Sequence, residues 1–415
     1  MLMQTHEARL DALRKELARR GLDGFVIPIS DEHMSEYVGD YAQRLHWLTG
    51  FGGSAGTAAV LADRAAMFTD GRYTVQVREQ VDARLYDYED VPATSPAKWI
   101  AAHARDGARI GYDAWLHGIE WVETAERQFA AKGIVLVPVD GNPIDALWHD
   151  RPAPSLAPAV AHEDRHAGRS SNEKRAEVAD WLKREGHDAA VITALDSVAW
   201  LLNIRGTDVA STPVALSYVV AHADGTADLF MAPEKVTPEL TRHLGNAVRI
   251  RDRAEFVPAL GSLSGKRVAV DPGHAVAGIF HALQAVGAKV VRAPDPTILP
   301  KAIKNPVEQE GHRTAQARDG AAVARFLRWL SIEAPKGGLD ELGAAAKLRE
   351  FREAPGCLKD VSFDTISAAG PHAALPHYKV DADSNIPIPP SSIYLVDSGG
   401  QYLDGTTDIT RTVWV

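Results

Sequence analysis

The sequence predicts an α/β protein made of two similar domains in tandem, followed by the opening part of a third. Three observations carry that expectation. A helix-then-strand unit near the N-terminus returns one domain-length later, a proline-rich polar run separates the two copies, and a strong helix start near residue 305 follows a second proline break.

Leu10, Leu13 and Leu17 recur at helical spacing among Arg and Glu, Gly21 ends the helix, and Gly24-Phe25-Val26-Ile27 opens a buried strand. The unit returns in the charged helical run from Glu173, followed by Ala189-Ala190-Val191-Ile192. Gly21, Asp23, Val26, Ile27 and Asp31 align with Gly186, Asp188, Val191, Ile192 and Asp196 at a constant offset of 165 residues. Trp47-Leu48-Thr49-Gly50 answers Trp200-Leu201-Leu202-Asn203, and strand-like Ala58 to Phe68 answers Ser217 to Phe230. A period of that size marks a duplicated domain rather than a solenoid. The expected boundaries are 1–150 for the first domain, 151–172 for an extended linker containing Pro152, Pro154 and Pro158, and 173–300 for the second domain. The third domain starts at 301 and fills 301–415, after Pro294-Asp295-Pro296 and Pro300. There Asn305-Pro306-Val307-Glu308 offers an N-cap, a first-turn proline and an acid at the third helical position, for a helix running towards Leu330.

Lys and Arg number 45 against 55 Asp and Glu, a net charge of −10, so no basic footprint steers the chain to nucleic acid or to an anionic membrane. Cys357 is the single cysteine, which excludes an internal disulfide and a zinc-thiolate cluster and suits a reducing compartment. The charged helical start lacks the apolar segment of a signal peptide, so a cytoplasmic location is expected. The longest uncharged stretch, Leu45 to Ala62, contains Gly50, Gly52, Gly53 and Gly56 and reads as a glycine-rich loop and a strand, not a membrane span.

Gly52-Gly53-Ser54-Ala55-Gly56 fits the G-x-S-x-G elbow of serine hydrolases, but a β-like run, Thr57 to Leu61, follows where that motif needs a helix. A tight turn is the better reading. Asp70-Gly71-Arg72-Tyr73 is a turn in which Arg72 alone reads as a solvated cation. The C-terminal segment carries more chemistry. Ile393-Tyr394-Leu395-Val396-Asp397 is a strand ending in a carboxylate, Ser398-Gly399-Gly400 allows a bulge, and Asp404-Gly405 supplies a turn. With the bulge adjusting register, the hairpin brings Asp397 and Asp408 together on one face. Two carboxylates that close share a proton or bind a cation, although spacing alone favours two exposed hairpin aspartates. His377, twenty residues before Asp397, reads as a ligand, a proton carrier or a packed polar residue.

Taken together, Asp31 to Tyr37, Thr49 to Thr57, Thr69-Asp70-Gly71-Arg72-Tyr73, Trp200 to Gly206, Lys304-Asn305-Pro306 with Arg318-Asp319-Gly320, and Asp397 to Tyr402 with Asp404 to Thr412 resemble the three-domain Xaa-Pro aminopeptidases. The resemblance is ordered and covers essentially the whole chain. It implies two tandem creatinase-like N-terminal domains, each a mixed sheet with flanking helices, and then the first part of a pita-bread α+β metallopeptidase domain. It further implies a homodimer that removes the first residue from peptides with proline in second position, using two divalent metal ions, manganese by resemblance. Asp397 would be a terminal metal ligand and Asp408 a bridging one. His377 would contact substrate and carry protons, and Arg72 would contact substrate, in a partner subunit's site. The family uses five metal ligands, and this chain offers no counterpart for the other three, a histidine and two glutamates. A chain inactive by itself is therefore expected, and a non-catalytic binding protein using the same fold is the alternative.

Overall fold

The computed structural model describes residues 5–415. They form two compact units: one contains 5–160, 171–208 and 214–301, the other 161–170, 209–213 and 302–415.

The first unit is built on two six-stranded mixed sheets of one topology. In the first sheet, β1 (Gly24–Pro28) lies between β2 (Thr57–Leu61), antiparallel to it, and β5 (Arg109–Tyr112), parallel to it. With β3 (Ala65–Thr69), β4 (Asp87–Asp90) and β6 (Val135–Pro138) the order is β4-β3-β2-β1-β5-β6. In the second sheet Ala189–Ile192 takes the place of β1, between antiparallel Ser217–His222 and parallel Arg267–Val270. The duplication extends to single hydrogen bonds. Gly21 and Gly186 both take φ of +68°, a left-handed turn that favours glycine. Two residues on, Asp23 and Asp188 accept the backbone N–H of Arg109 and Arg267 at 2.8 and 2.7 Å. Those arginines in turn donate Nε to the Gly21 and Gly186 carbonyls. Each aspartate thus aligns the central strand with its parallel neighbour.

Each sheet keeps its own core on one face, where Phe25 and Ile27 or Ala190 and Ile192 point, and the other faces share a third. Val26, Phe68, Trp99 and Ile110 belong to the same buried cluster as Val191, Phe230, Phe256, Val268 and Phe280. Backbone N–H groups of Ala277 and Gly278 donate to the carbonyls of His117 and Ala114, both at 2.7 Å, and stitch the copies together. A Cβ on Gly278 would lie 2.9 Å from the Trp115 ring, so glycine allows this approach. Among the described residues no helix is long and apolar enough to cross a membrane.

In the second unit the expected capping box is present: Asn305 accepts from Val307 and Glu308 N–H, and Glu308 accepts from Asn305 N–H. The helix runs through Pro306–Glu333, a turn further than expected. The predicted linker is not wholly extended, because Asp164–Ala167 forms a helical turn ending on Gly168 at φ +70°. Asn305 Nδ2 donates to the Ala167 carbonyl at 2.8 Å and holds that turn. The helix of the second domain then opens at Ser171.

Helix Pro306–Glu333 packs on helix Glu341–Glu353, and Val323, Phe326, Leu330 and Leu348 meet Tyr394 and Val396 of a three-stranded antiparallel sheet. Its strands are Ile366–Ala369, Ile393–Ser398 and Ile409–Trp414, with Ile393–Ser398 central. Between the helices Arg352 donates two hydrogen bonds to Asp319, at 2.7 and 3.0 Å, with both side chains fully buried. Tyr402 Oη also donates to Asp319, at 2.7 Å. Burial pushes the Asp319 carboxyl up, but Arg352 and Tyr402 outweigh it and hold it below the usual range.

Breaking one side of this pair strands a buried charge. Asp319→Asn is expected to cost about 3–5 kcal/mol in urea unfolding, and Asp319→Leu combined with Arg352→Met much less. A loss below about 1 kcal/mol, the range of an exposed ion pair, would show that the pair is not held dry.

Candidate functional site

Asp397 and Asp408 are brought together, but not by a bulge. Register is unbroken from Ile393 opposite Trp414 to Ser398 opposite Ile409. It continues through Thr407 N–H donating to the Gly400 carbonyl and the bridge between Gln401 and Thr406. Asp397 stands opposite Thr410, so Asp408, two residues before Thr410, is its diagonal neighbour on the same face. The two glycines serve close packing instead. A Cβ on Gly399 would fall 1.8 Å from the Thr407 carbonyl oxygen and 2.2 Å from Ser362 Oγ. The short strand Asp360–Val361 pairs with Gly400–Gln401 there, and Ser362 Oγ donates to Thr407 O at 2.9 Å.

Burial first, then the charge of Asp397 and a hydrogen bond to it, push the Asp408 carboxyl above the ordinary range. Asp397 Oδ1 is buried with no hydrogen-bond partner among the described residues. An orphaned carboxylate oxygen beside a second, strained carboxylate is a donor set that fits a hard divalent cation. No group of three or more His, Cys, Asp or Glu side chains gathers at metal-ligand spacing among the described residues, so His377 does not join as a third ligand.

The turn closing the hairpin is braced from the long helix. Arg318 donates to both carboxylate oxygens of Asp404 at 3.0 Å and lies over the Tyr402 ring at 5.0 Å. His377 sits exposed in a different loop at φ +56°, an unusual conformation for a side-chain-bearing residue. The anchor of that loop is Glu341, which the sequence reading missed. Fully buried, it accepts from Ala369 N–H at 2.7 Å, Tyr378 Oη and His372 Nδ1 at 2.9 Å, and Ile386 N–H at 3.3 Å. Local sequence offers only a helix N-cap at Asp340 and an acidic first turn, with nothing to mark Glu341 as buried.

Arg72 belongs to the first unit. It forks onto Asp70 through Nε at 3.0 Å and Nη2 at 2.7 Å, lies over Tyr73 at 5.2 Å, and keeps 37% of its side chain exposed. Ser54 Oγ hydrogen-bonds with Tyr73 Oη at 2.7 Å, and its N–H donates to the same oxygen. Strand β2 follows, with no helix, so Ser54 buttresses the Arg72 turn and is no nucleophile elbow.

Because ionised Asp408 is disfavoured in the fold, metal-free protein should lose stability as pH rises from the ordinary value of 3.8 through the raised one. Asp408→Asn escapes that loss. Its thermal midpoint should exceed wild type at neutral pH and match it below 3.8; a variant less stable than wild type at neutral pH would contradict the repulsion.

Residues 9–147 match the creatinase/prolidase N-terminal domain, residues 150–308 match a second form of that domain, and residues 310–415 match metallopeptidase family M24. The protein named "Probable Xaa-Pro aminopeptidase P" in Aspergillus clavatus is 37% identical over 420 residues, covering 97% of this chain and 63% of its own length. The protein of that name in Aspergillus niger is 36% identical over 97% of this chain and 68% of its own length. The chain thus spans a little under two thirds of the first relative. The crystal structure of X-prolyl aminopeptidase from Caenorhabditis elegans, described as a cytosolic enzyme with a di-nuclear active site, superposes with a TM-score of 0.92. It is 31% identical, over 99% of this chain and 70% of its own. Duplicated sheets, paired aspartates and these matches agree: the chain belongs to the Xaa-Pro aminopeptidase P family of creatinase-type metallopeptidases.

Proposed function

We propose that this chain is part of a cytoplasmic, homodimeric aminopeptidase that removes the first residue from peptides with proline in second position. The observation that carries the reading is the Asp397 and Asp408 pair, with its unpartnered buried oxygen and raised carboxyl. A bond before proline lacks an N–H and is conformationally restricted, so strand-pairing peptidases hold it poorly. Asp397 would hold one divalent ion as a terminal ligand and Asp408 would bridge two; oxygen donors suit manganese. Such ions, when bound, polarise the scissile carbonyl and lower the pKa of a coordinated water. His377, exposed on the Glu341-anchored loop, would contact substrate and carry a proton to the leaving proline nitrogen. Arg72 would grip a peptide carbonyl or carboxylate with its forked donors, from a partner subunit.

Two carboxylates are too few to retain two ions. The 415 residues alone, supplied with manganese, are expected not to release arginine from Arg-Pro-Pro; metal-dependent release by material of verified mass would refute this. In a longer form that is active, His377→Ala should lower kcat about a hundred- to ten-thousandfold with little change in thermal midpoint. Wild-type turnover with an unchanged pH profile would remove His377 from that role. Arg72→Ala in the same form should raise KM for tripeptides, and an unchanged kcat/KM would reject the grip.

A further inference from the structure

Away from the aspartate pair, a pocket of about 530 Å³ opens within the first unit, lined by residues of both copies of the duplicated domain. That size suits a small organic ligand. Aromatic walls come from Trp115 of one copy and from Tyr218 and Phe256 of the other. Three guanidinium groups, Arg44, Arg151 and Arg253, face the same space as two carboxylates, Glu32 and Asp113.

The charges of these groups are unequally committed. Both oxygens of Asp113 are engaged, accepting from Trp115 N–H and from Asn142 Nδ2 at 2.9 Å each. Asp145 engages Arg44 at 2.7 and 2.9 Å and also Arg151 at 2.6 Å. Glu32 accepts from Arg253 and from Tyr41 Oη. His33 donates Nδ1 to the Thr193 carbonyl at 2.9 Å, so its Nε2 accepts from Arg253 at 3.1 Å. Two donors stay unmet. Arg44, only 6% exposed, keeps Nη1 without a partner, and Arg253 keeps Nε without one, among the described residues. Guanidinium offers donors only, so each of these two positions calls for an acceptor, and a buried unmet donor is costly.

We infer that this pocket is a binding site for a small organic carboxylate with an apolar or aromatic body, held by Arg44, Arg151 and Arg253 and seated against Trp115, Tyr218 and Phe256. A carboxylate matches the forked donors and brings the missing acceptor. The planar body matches the ring walls. The inference is independent of the peptidase reading.

Calorimetric titration of the 415-residue chain with 3-phenylpropionate and with its neutral amide tests it. Saturable binding of the acid at millimolar concentration or tighter is expected, with the amide at least about tenfold weaker. Arg253→Gln should weaken the acid. Because that variant also unpairs Glu32, a second one fills the mouth: Val257→Trp, at a lining position 43% exposed, should abolish binding without lowering the thermal midpoint. No saturable binding, equal binding of acid and amide, or acid binding that survives Val257→Trp would each overturn the site.

Discussion

The charge of Arg352, sealed between two helices with a single carboxylate to answer it, is the constraint on which the second unit is arranged. Asp319 and Arg352 fix how helices Pro306–Glu333 and Glu341–Glu353 lie on one another, since a fork with two parallel hydrogen bonds tolerates little rotation. Tyr402 ties the hairpin arch to the same carboxylate, and the neighbouring residue of the long helix, Arg318, grips Asp404 from outside. The arch between Asp397 and Asp408 is therefore held from beneath and from its tip. Two mutually repelling carboxylates stay in place because the scaffold, not their own attraction, sets their positions.

The first unit solves a different problem with repetition. Each copy starts its central strand with the same glycine, aspartate and arginine arrangement, which holds that strand in register with its parallel neighbour. Besides the core that each copy keeps to itself, the facing sides of the two sheets share one, which buries apolar surface that a single copy would leave exposed. The cost is that polar groups near the junction must be satisfied across the copies, as Glu32, His33 and Arg253 are.

What the sequence revealed followed from local rules. The Asn305 capping box, the paired glycines at 21 and 186 and the alternation around Asp397 and Asp408 all depend on neighbours within a few residues, and each was legible. The misreadings share the opposite property. Ser398-Gly399-Gly400 suggested a bulge because nothing nearby announces Ser362, whose hydroxyl leaves no room for a side chain. Glu341 went unmarked because its backbone donors, Ala369 and Ile386, lie 28 and 45 residues further on. The shared core was hidden because an apolar helix face reads alike whichever copy covers it.

The unbroken register between the two aspartate-bearing strands has a consequence for how this hairpin can change in length. Asp397 and Asp408 share a face through parity alone, since side chains alternate and no bulge intervenes. One residue added inside the paired stretch, between Asp397 and Gln401, would turn Asp397 away from its partner or force a bulge where Ser362 and Thr407 crowd Gly399. Two added residues would leave both faces as they were. Variation and grafting within the paired strands are thus confined to even steps, a counting rule that acts on strand length rather than on the identity of any residue, while the turn beyond Gln401 and Thr406 escapes it.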